Sequence, residues 1–327
     1  MPVKTGIQYS SWIPAFAGMT KTKQASGYQP RSNEIMEKTR TTAIIFFAFR
    51  LIPLGLRRTI FKALFRLFYH ASVKQRLIAL HNLKCAFPEK SLDEIEAIAK
   101  GVYRHLALVM ADLFEMPYIT RETLGDWADA EGLEHLEKAF AEGKGVLSVV
   151  AHFGHWELMT VAVPLMARPM QIVYRPLDNP VMDNLLGWSR TKHGNALIPK
   201  GGSGKRIIRL LRENNAIGIL SDQNVDTREG VFVDFFGRPA CTSVGTAVLA
   251  LQSGAPVLPA FMPRMPDGRY KLIILPPVEI TRTDNYESDL VVNTQRFTKV
   301  VEDMVRKYPD QWFWIHQRWK TKPWQGA

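Results

Sequence analysis

The sequence predicts an α/β fold, with a central, mostly parallel sheet flanked by helices and an N-terminal helical, membrane-associating region. Three observations carry this. Short runs of strand-forming residues at 145–151, 171–175, 216–221, 257–262 and 270–275 are spread along the second half of the chain. The run at 145–151, GVLSVVA, shows little apolar–polar alternation, as expected of a strand covered on both faces. Helical stretches at 180–191, 203–212 and 242–253 separate the strands, which implies an open sheet with ligands at the carboxyl ends of its strands.

Composition sets the outer bounds. The chain has 327 residues, 46% hydrophobic and 22% charged, enough to bury one large core or two ordinary ones. With only 22 Gly and 20 Pro it is neither collagen-like nor disordered. Cys85 and Cys241 cannot build a disulfide framework or a four-cysteine zinc site, so a reducing, cytosol-facing compartment is expected. A mean hydropathy of -0.10 argues against a polytopic membrane protein.

The net charge of +11 is unevenly distributed. Residues 36–85 hold ten basic residues and only Glu37, whereas residues 86–327 hold 28 basic and 29 acidic. A nucleic-acid enzyme would more often carry its positive charge around its groove, so the basic segment reads as an anchor and no nucleic-acid partner is expected.

In chain order, residues 1–35 read as a poorly structured extension, with Met36 as the working start. A brief apolar run in 10–20 is interrupted by Pro14 and Gly18 and is no secretory signal. Residues 36–125 read as the basic helical region and 126–327 as the catalytic α/β domain. Residues 43–49 are apolar and end at Arg50, short of the roughly 20 residues a spanning helix needs. From 56 to 69, Arg58, Lys62 and Arg66 recur every four residues, with Phe61, Leu64, Phe65 and Phe68 complementary to them. Such a segment either lies among anionic headgroups or packs on the domain as an ordinary amphipathic helix; the uncompensated charge favours the membrane. Residues 74–125 read as helical.

The strand at 145–151 runs into HFGHWE at 152–157. A histidine five positions before a carboxylate is weak evidence alone, because chance yields about one such pair here. Its placement is stronger: His152 leaves a buried strand, and Gly154 permits a sharp turn into the next helix. Glu157, in the first helical turn, could reach back to the imidazole and stabilise it as it takes a proton from an alcohol. A helix-start histidine beside a surface glutamate is the plainer alternative.

Further segments follow in order: VYRP at 173–176, SDQN at 221–224, GVFVDFFG at 230–237, PACTSVG at 239–245 and YPDQWFWIHQRWK at 308–320. Together with HFGHWE they resemble the bacterial lipid A late acyltransferases, part of the lysophospholipid acyltransferase superfamily with its His-x4-Asp/Glu motif. The resemblance covers about residues 40–320. It implies transfer of an acyl chain from a thioester to a hydroxyl of a lipid acceptor, with His152 as general base and Glu157 as its charged partner. Arg175 would meet acceptor phosphate with its planar fork, or is a surface arginine before Pro176. Asp222 and Gln223 would belong to the same rim or shape its loop, with Gly237 and Thr242 supporting the loops. His155 falls at a variable position.

The resemblance also implies an acyl carrier protein as donor, whose acidic surface would suit a basic patch, or acyl-CoA. It implies a lipid A precursor as acceptor and the cytoplasmic face of the inner membrane as location, with no metal or redox cofactor. A hydrolase using the same histidine and a non-enzymatic membrane-surface module are the alternatives. Other motifs fail: KGGSGK at 200–205 lacks the Gly and Ser/Thr of a phosphate loop. His152, His155 and Glu157 do not match zinc spacing. The Trp312, Trp314, Trp319 cluster suits packing near the membrane better than base stacking.

Overall fold

The computed structural model describes residues 32–323. The extension expected over 1–35 lies outside them, apart from its last four residues, which open the first helix.

Four helices precede the sheet: α1 (Ser32–Arg50), α2 (Leu54–Ala71), α3 (Val73–Ala86) and α4 (Leu92–Asp112). Pro53 separates α1 from α2 at the N-cap of the latter, and no helix among the described residues is long and apolar enough to cross a membrane. The stretch expected to be helical over 74–125 divides at Pro88. Ser91 then starts α4 with a capping box, its side chain accepting from the Glu94 amide while Glu94 reaches back. Helix α2 packs along α4, and Phe61 and Phe65 turn inward.

The strands among the described residues are β1 (Ala128–Glu131), β2 (Val146–Val150), β3 (Met170–Tyr174), β4 (Ala196–Pro199), β5 (Ala216–Leu220), β6 (Gly230–Phe235), β7 (Arg238–Ser243), β8 (Val257–Phe261) and β9 (Tyr270–Ile274). Between and after them run α5 (Leu133–Ala141), α6 (Met159–Met166), α7 (Pro180–Thr191), α8 (Gly204–Arg212), α9 (Gly245–Ser253) and α10 (Tyr286–Lys307). Seven strands form one sheet in the order β1-β9-β8-β2-β5-β3-β4. The block β8-β2-β5-β3-β4 is parallel throughout, and only the β8–β9 pairing is antiparallel. The mostly parallel sheet expected from the sequence is therefore present.

Strand β2 shows why its sequence lacks alternation. Val146 and Val150 join the core on one face of the sheet, while Leu147 and Val149 join the core on the other. The short β1 and β4 and the β6–β7 hairpin are additions to the expected strands. The hairpin turns at Phe236 and Gly237, both with positive φ, the pattern of a two-residue turn matched to strand twist. Residues 242–243, expected to open a helix, instead end β7.

Candidate active site

His152 and Asp222 are brought together by strand register. Strands β2 and β5 are adjacent and parallel, and Val150 pairs with Leu220. Two residues further along each strand, His152 and Asp222 leave the sheet side by side at its carboxyl edge. The His152 amide donates to Asp222 Oδ2 at 2.9 Å, and His152 Nδ1 lies 2.8 Å from Asp222 Oδ1. The Trp312 indole also donates to Asp222 Oδ2, at 2.8 Å.

These donors decide the charge of the carboxyl group. Burial raises the pKa of Asp222, but His152 and the hydrogen bonds from His152 and Trp312 outweigh it and hold the group below the usual carboxylate range. An ionised carboxylate only accepts, so Nδ1 carries a proton, and in the neutral imidazole the lone pair is then on Nε2. Nε2 has the side-chain nitrogen of Gln223 3.5 Å away. The ring packs beside Trp156 and Phe313, with centroids 5.5 and 6.0 Å distant, and remains partly open to solvent.

The turn after β2 holds this geometry. Gly154 has φ +57°, and a Cβ there would lie 2.1 Å from the carbonyl oxygen of Met262. The Gly154 amide donates to Gln311, the His155 amide to Met262, and the Phe313 amide to the His152 carbonyl. The C-terminal segment is thus clipped onto the turn, and Trp312 reaches Asp222 from it.

Glu157 occupies a different place from the one expected. It is not in the first turn of a helix, since α6 begins at Met159, and its carboxylate faces Arg190 rather than His152. Arg190 Nε donates to Oε2 at 2.8 Å and Nη2 to Oε1 at 2.5 Å, while the Trp156 indole donates to Oε1 at 3.1 Å. Burial raises the Glu157 pKa, but Arg190 more than offsets it, so the net direction is down. The expected Glu157–His152 pairing is therefore corrected: Asp222 is the carboxylate on the ring, and Glu157 ties the turn carrying Trp156 to α7. His155 is fully buried; burial pulls it down to about 4, so it is neutral, its Nδ1 accepting from the Leu158 amide.

Arg175 lies just past β3, two strands from β2 on the same rim, on the order of 10 Å away by strand spacing. Its side chain is 80% exposed and has only a 3.7 Å approach to Asp178. Asp222 and Gln223 join His152; Arg175 shares the rim without touching it. Lys200, in the glycine-rich loop after β4, pairs with Glu229 at 2.8 Å. Thr242 supports the loop after β5, bridging to Asn224 and meeting Arg318.

Sequence reasoning missed Arg190 and Trp312 as neighbours of the site. Arg190 is a partly buried arginine in the last turn of α7, and no spacing rule links it to Glu157, 33 positions away. Of the basic trio on α2, Arg58 is also corrected. It turns inward to grip the fully buried Asp112 at 2.7 and 3.0 Å, leaving Lys62 and Arg66 outside. Among the described residues no three His, Cys, Asp or Glu side chains gather as a metal set.

The profile of the bacterial lipid A biosynthesis acyltransferases matches residues 35–321. The chain is 31% identical to the lipid A biosynthesis lauroyltransferase of Escherichia coli over 254 residues, which is 77% of this chain and 81% of that protein. It is 30% identical to the lipid A biosynthesis palmitoleoyltransferase of the same organism, over 76% of this chain and 80% of that protein. Similarity extends to the phosphatidylinositol mannoside acyltransferase of Mycobacterium tuberculosis, 27% identical over 64% of this chain and 66% of that one. With a match spanning almost the whole described structure, the chain belongs to the bacterial lipid A biosynthesis acyltransferase family.

Proposed function

We propose that the protein moves a fatty acyl chain from an acyl thioester to a hydroxyl of a lipid A precursor, with His152 as general base. The observation that carries this reading is the His152–Asp222 pair, which engages Nδ1 and leaves Nε2 as the ring nitrogen not held by a carboxylate, at the carboxyl edge of the sheet. Nε2 takes the proton of the acceptor hydroxyl as its oxygen attacks the thioester carbonyl. The tetrahedral intermediate then expels the thiolate, which recovers the proton from the imidazolium, and Asp222 stabilises the transient positive charge. The family and the Escherichia coli relatives support lipid A as the acceptor class.

Arg175, exposed on the same rim with only a solvent-exposed 3.7 Å approach to Asp178, is suited to acceptor phosphate. Arg175→Ala is expected to raise the acceptor KM about tenfold or more and to leave the donor KM unchanged. A rise in donor KM alone would place Arg175 on the thioester side. The donor is acyl carrier protein or acyl-CoA, distinguished by supplying each as the sole donor.

The described N-terminal helices support docking on a membrane surface, which in this reading is the cytoplasmic face of the inner membrane. Leu56, Ile60, Leu64 and Leu67 recur along α2 and are exposed, with Lys62 and Arg66 beside them. Ile44, Phe47 and Leu51 continue the apolar surface at the end of α1. Single-turnover product analysis tests the chemistry: an acylated acceptor is expected, and free fatty acid alone would indicate a hydrolase.

A further inference from the structure

Behind the His152–Asp222 pair lies a small cavity of about 10 Å³, lined by Ser221, Asp222, Thr246, Thr294 and Arg318 among others. That is at the lower limit of what one water molecule needs, about 10–15 Å³. Three buried polar atoms on residues of its wall have no hydrogen-bond partner among the described residues: Arg318 Nε, Thr246 Oγ1 and Thr294 Oγ1. They come from three separate elements, the C-terminal segment, α9 and α10, and each residue is at most 2% exposed.

Arg318 is held rigidly. Nη1 donates to the Cys241 carbonyl at 3.0 Å, Nη2 donates to Thr242 Oγ1 at 2.5 Å, and the guanidinium lies 5.0 Å from the Phe235 ring centroid. Among the described residues no carboxylate pairs with it directly, and Asp222 is the carboxylate that shares its cavity. A buried arginine without a direct counter-ion is costly unless its charge is used nearby.

We propose that the cavity holds one ordered water bridging Arg318 Nε to the Thr246 and Thr294 hydroxyls, and that Arg318 is a positioning residue whose charge compensates Asp222 and so tunes His152. This rests on the reading of His152 as the base. Burial lowers the Arg318 pKa to about 10 against the attraction of Asp222, so the guanidinium is charged at neutral pH. Among the described residues, the other groups in contact with the pair carry no positive charge, and Lys320 reaches only as far as His316. Trp312 and Gln223 are neutral, Trp156 and Phe313 are rings, and burial pulls His316 down to about 4 while its Nε2 accepts from the Asn224 amide. Without Arg318, the negative charge of Asp222 would be balanced by His152 alone, and the imidazolium would be favoured.

The test follows the His152 ring by NMR in histidine-labelled full-length protein, its signal identified by loss in His152→Ala. Arg318→Met is expected to raise the His152 protonation midpoint by about one pH unit, with the acid limb of kcat/KM moving alike. Arg318→Lys is expected to restore most of both. An unchanged midpoint in Arg318→Met would overturn the proposal and leave Arg318 as a tether of the C-terminal segment. Should that variant not fold, a high-resolution crystal structure of the unaltered protein decides. Water density within hydrogen-bond distance of Arg318 Nε and either threonine is expected, and its absence overturns the bridge. A shifted His152 midpoint in a protein without acyl-transfer activity would sink the proposed reaction while upholding the role of Arg318.

Discussion

Asp222 receives three hydrogen bonds on two oxygens, from the His152 ring, the His152 amide and the Trp312 indole. Asp222→Asn would let the amide donate to Nδ1, forcing the proton onto Nε2 and removing the base. His152→Ala is expected to cost about 10²–10⁴-fold in kcat/KM, and Asp222→Asn a loss of similar order. The double variant should lose little more than either single one, because groups acting as a unit are non-additive. Losses that multiply in the double variant would separate the two residues. Glu157→Gln should behave differently, because it leaves the Arg190 guanidinium facing a neutral amide. Breaking a buried ion pair costs about 3–5 kcal/mol. Its signature in thermal unfolding would be a lowered midpoint, with the acid limb of the pH–rate profile unmoved.

At the scale of elements, the turn between β2 and α6 is the most constrained piece of the site. Gly154 approaches the Met262 carbonyl so closely that no side chain fits, and its φ is left-handed. Gly154→Ala should destabilise the fold by about 1–3 kcal/mol and lower kcat by displacing His152. Wild-type stability together with wild-type kcat would show that the turn relaxes freely.

Helix α2 divides its basic residues between two tasks. Arg58 grips Asp112, whose Oδ2 also accepts from Tyr270, whereas Lys62 and Arg66 face outward. Arg58→Gln is therefore expected to lower the unfolding midpoint. Lys62→Gln with Arg66→Gln should leave that midpoint in place and weaken binding to anionic vesicles by about 1 kcal/mol per residue. Vesicle binding indifferent to lipid charge and salt would assign docking to the apolar Leu56–Leu67 stripe alone.

For the molecule as a whole, buried ionisable groups set the response to acid. Burial lowers His155 and His316 to about 4 in the fold, against an ordinary value of 6.5. Between those values the unfolded chain binds protons that the folded chain refuses, so stability rises with pH across that window and levels off above it. Glu157 and Asp222 have the opposite chemistry but the same slope. Their folded values are depressed, so the stability they contribute is present above about 4 and is lost as pH falls further. Urea unfolding from pH 4 to 8 should show a midpoint climbing to about 6.5 and then flat. A flat response throughout would mean that both histidines protonate inside the fold.

The fold and the placing of His152 at the rim of the sheet were legible in local sequence, whereas the carboxylate beside it was not. Residues 145–151 read as a doubly covered strand because burial on two faces removes alternation, and His152 stood out because it ends that strand before a glycine. The β6–β7 hairpin escaped notice because its turn is Phe-Gly, where only Gly237 is a customary residue for positive φ. The family motif pointed to Glu157 as the carboxylate on His152, since five positions can be bridged by one turn. In the folded chain the turn at Gly154 is pinned to Met262 and Gln311, and it carries Glu157 to Arg190 instead. Asp222 takes the place beside the imidazole because β5 lies against β2 in a register that sets 150 opposite 220. That register follows from long-range strand pairing and two-sided core packing, which no window of neighbouring residues contains. The same holds for Trp312 and Arg318, which reach the site only because the C-terminal segment crosses the ends of the strands.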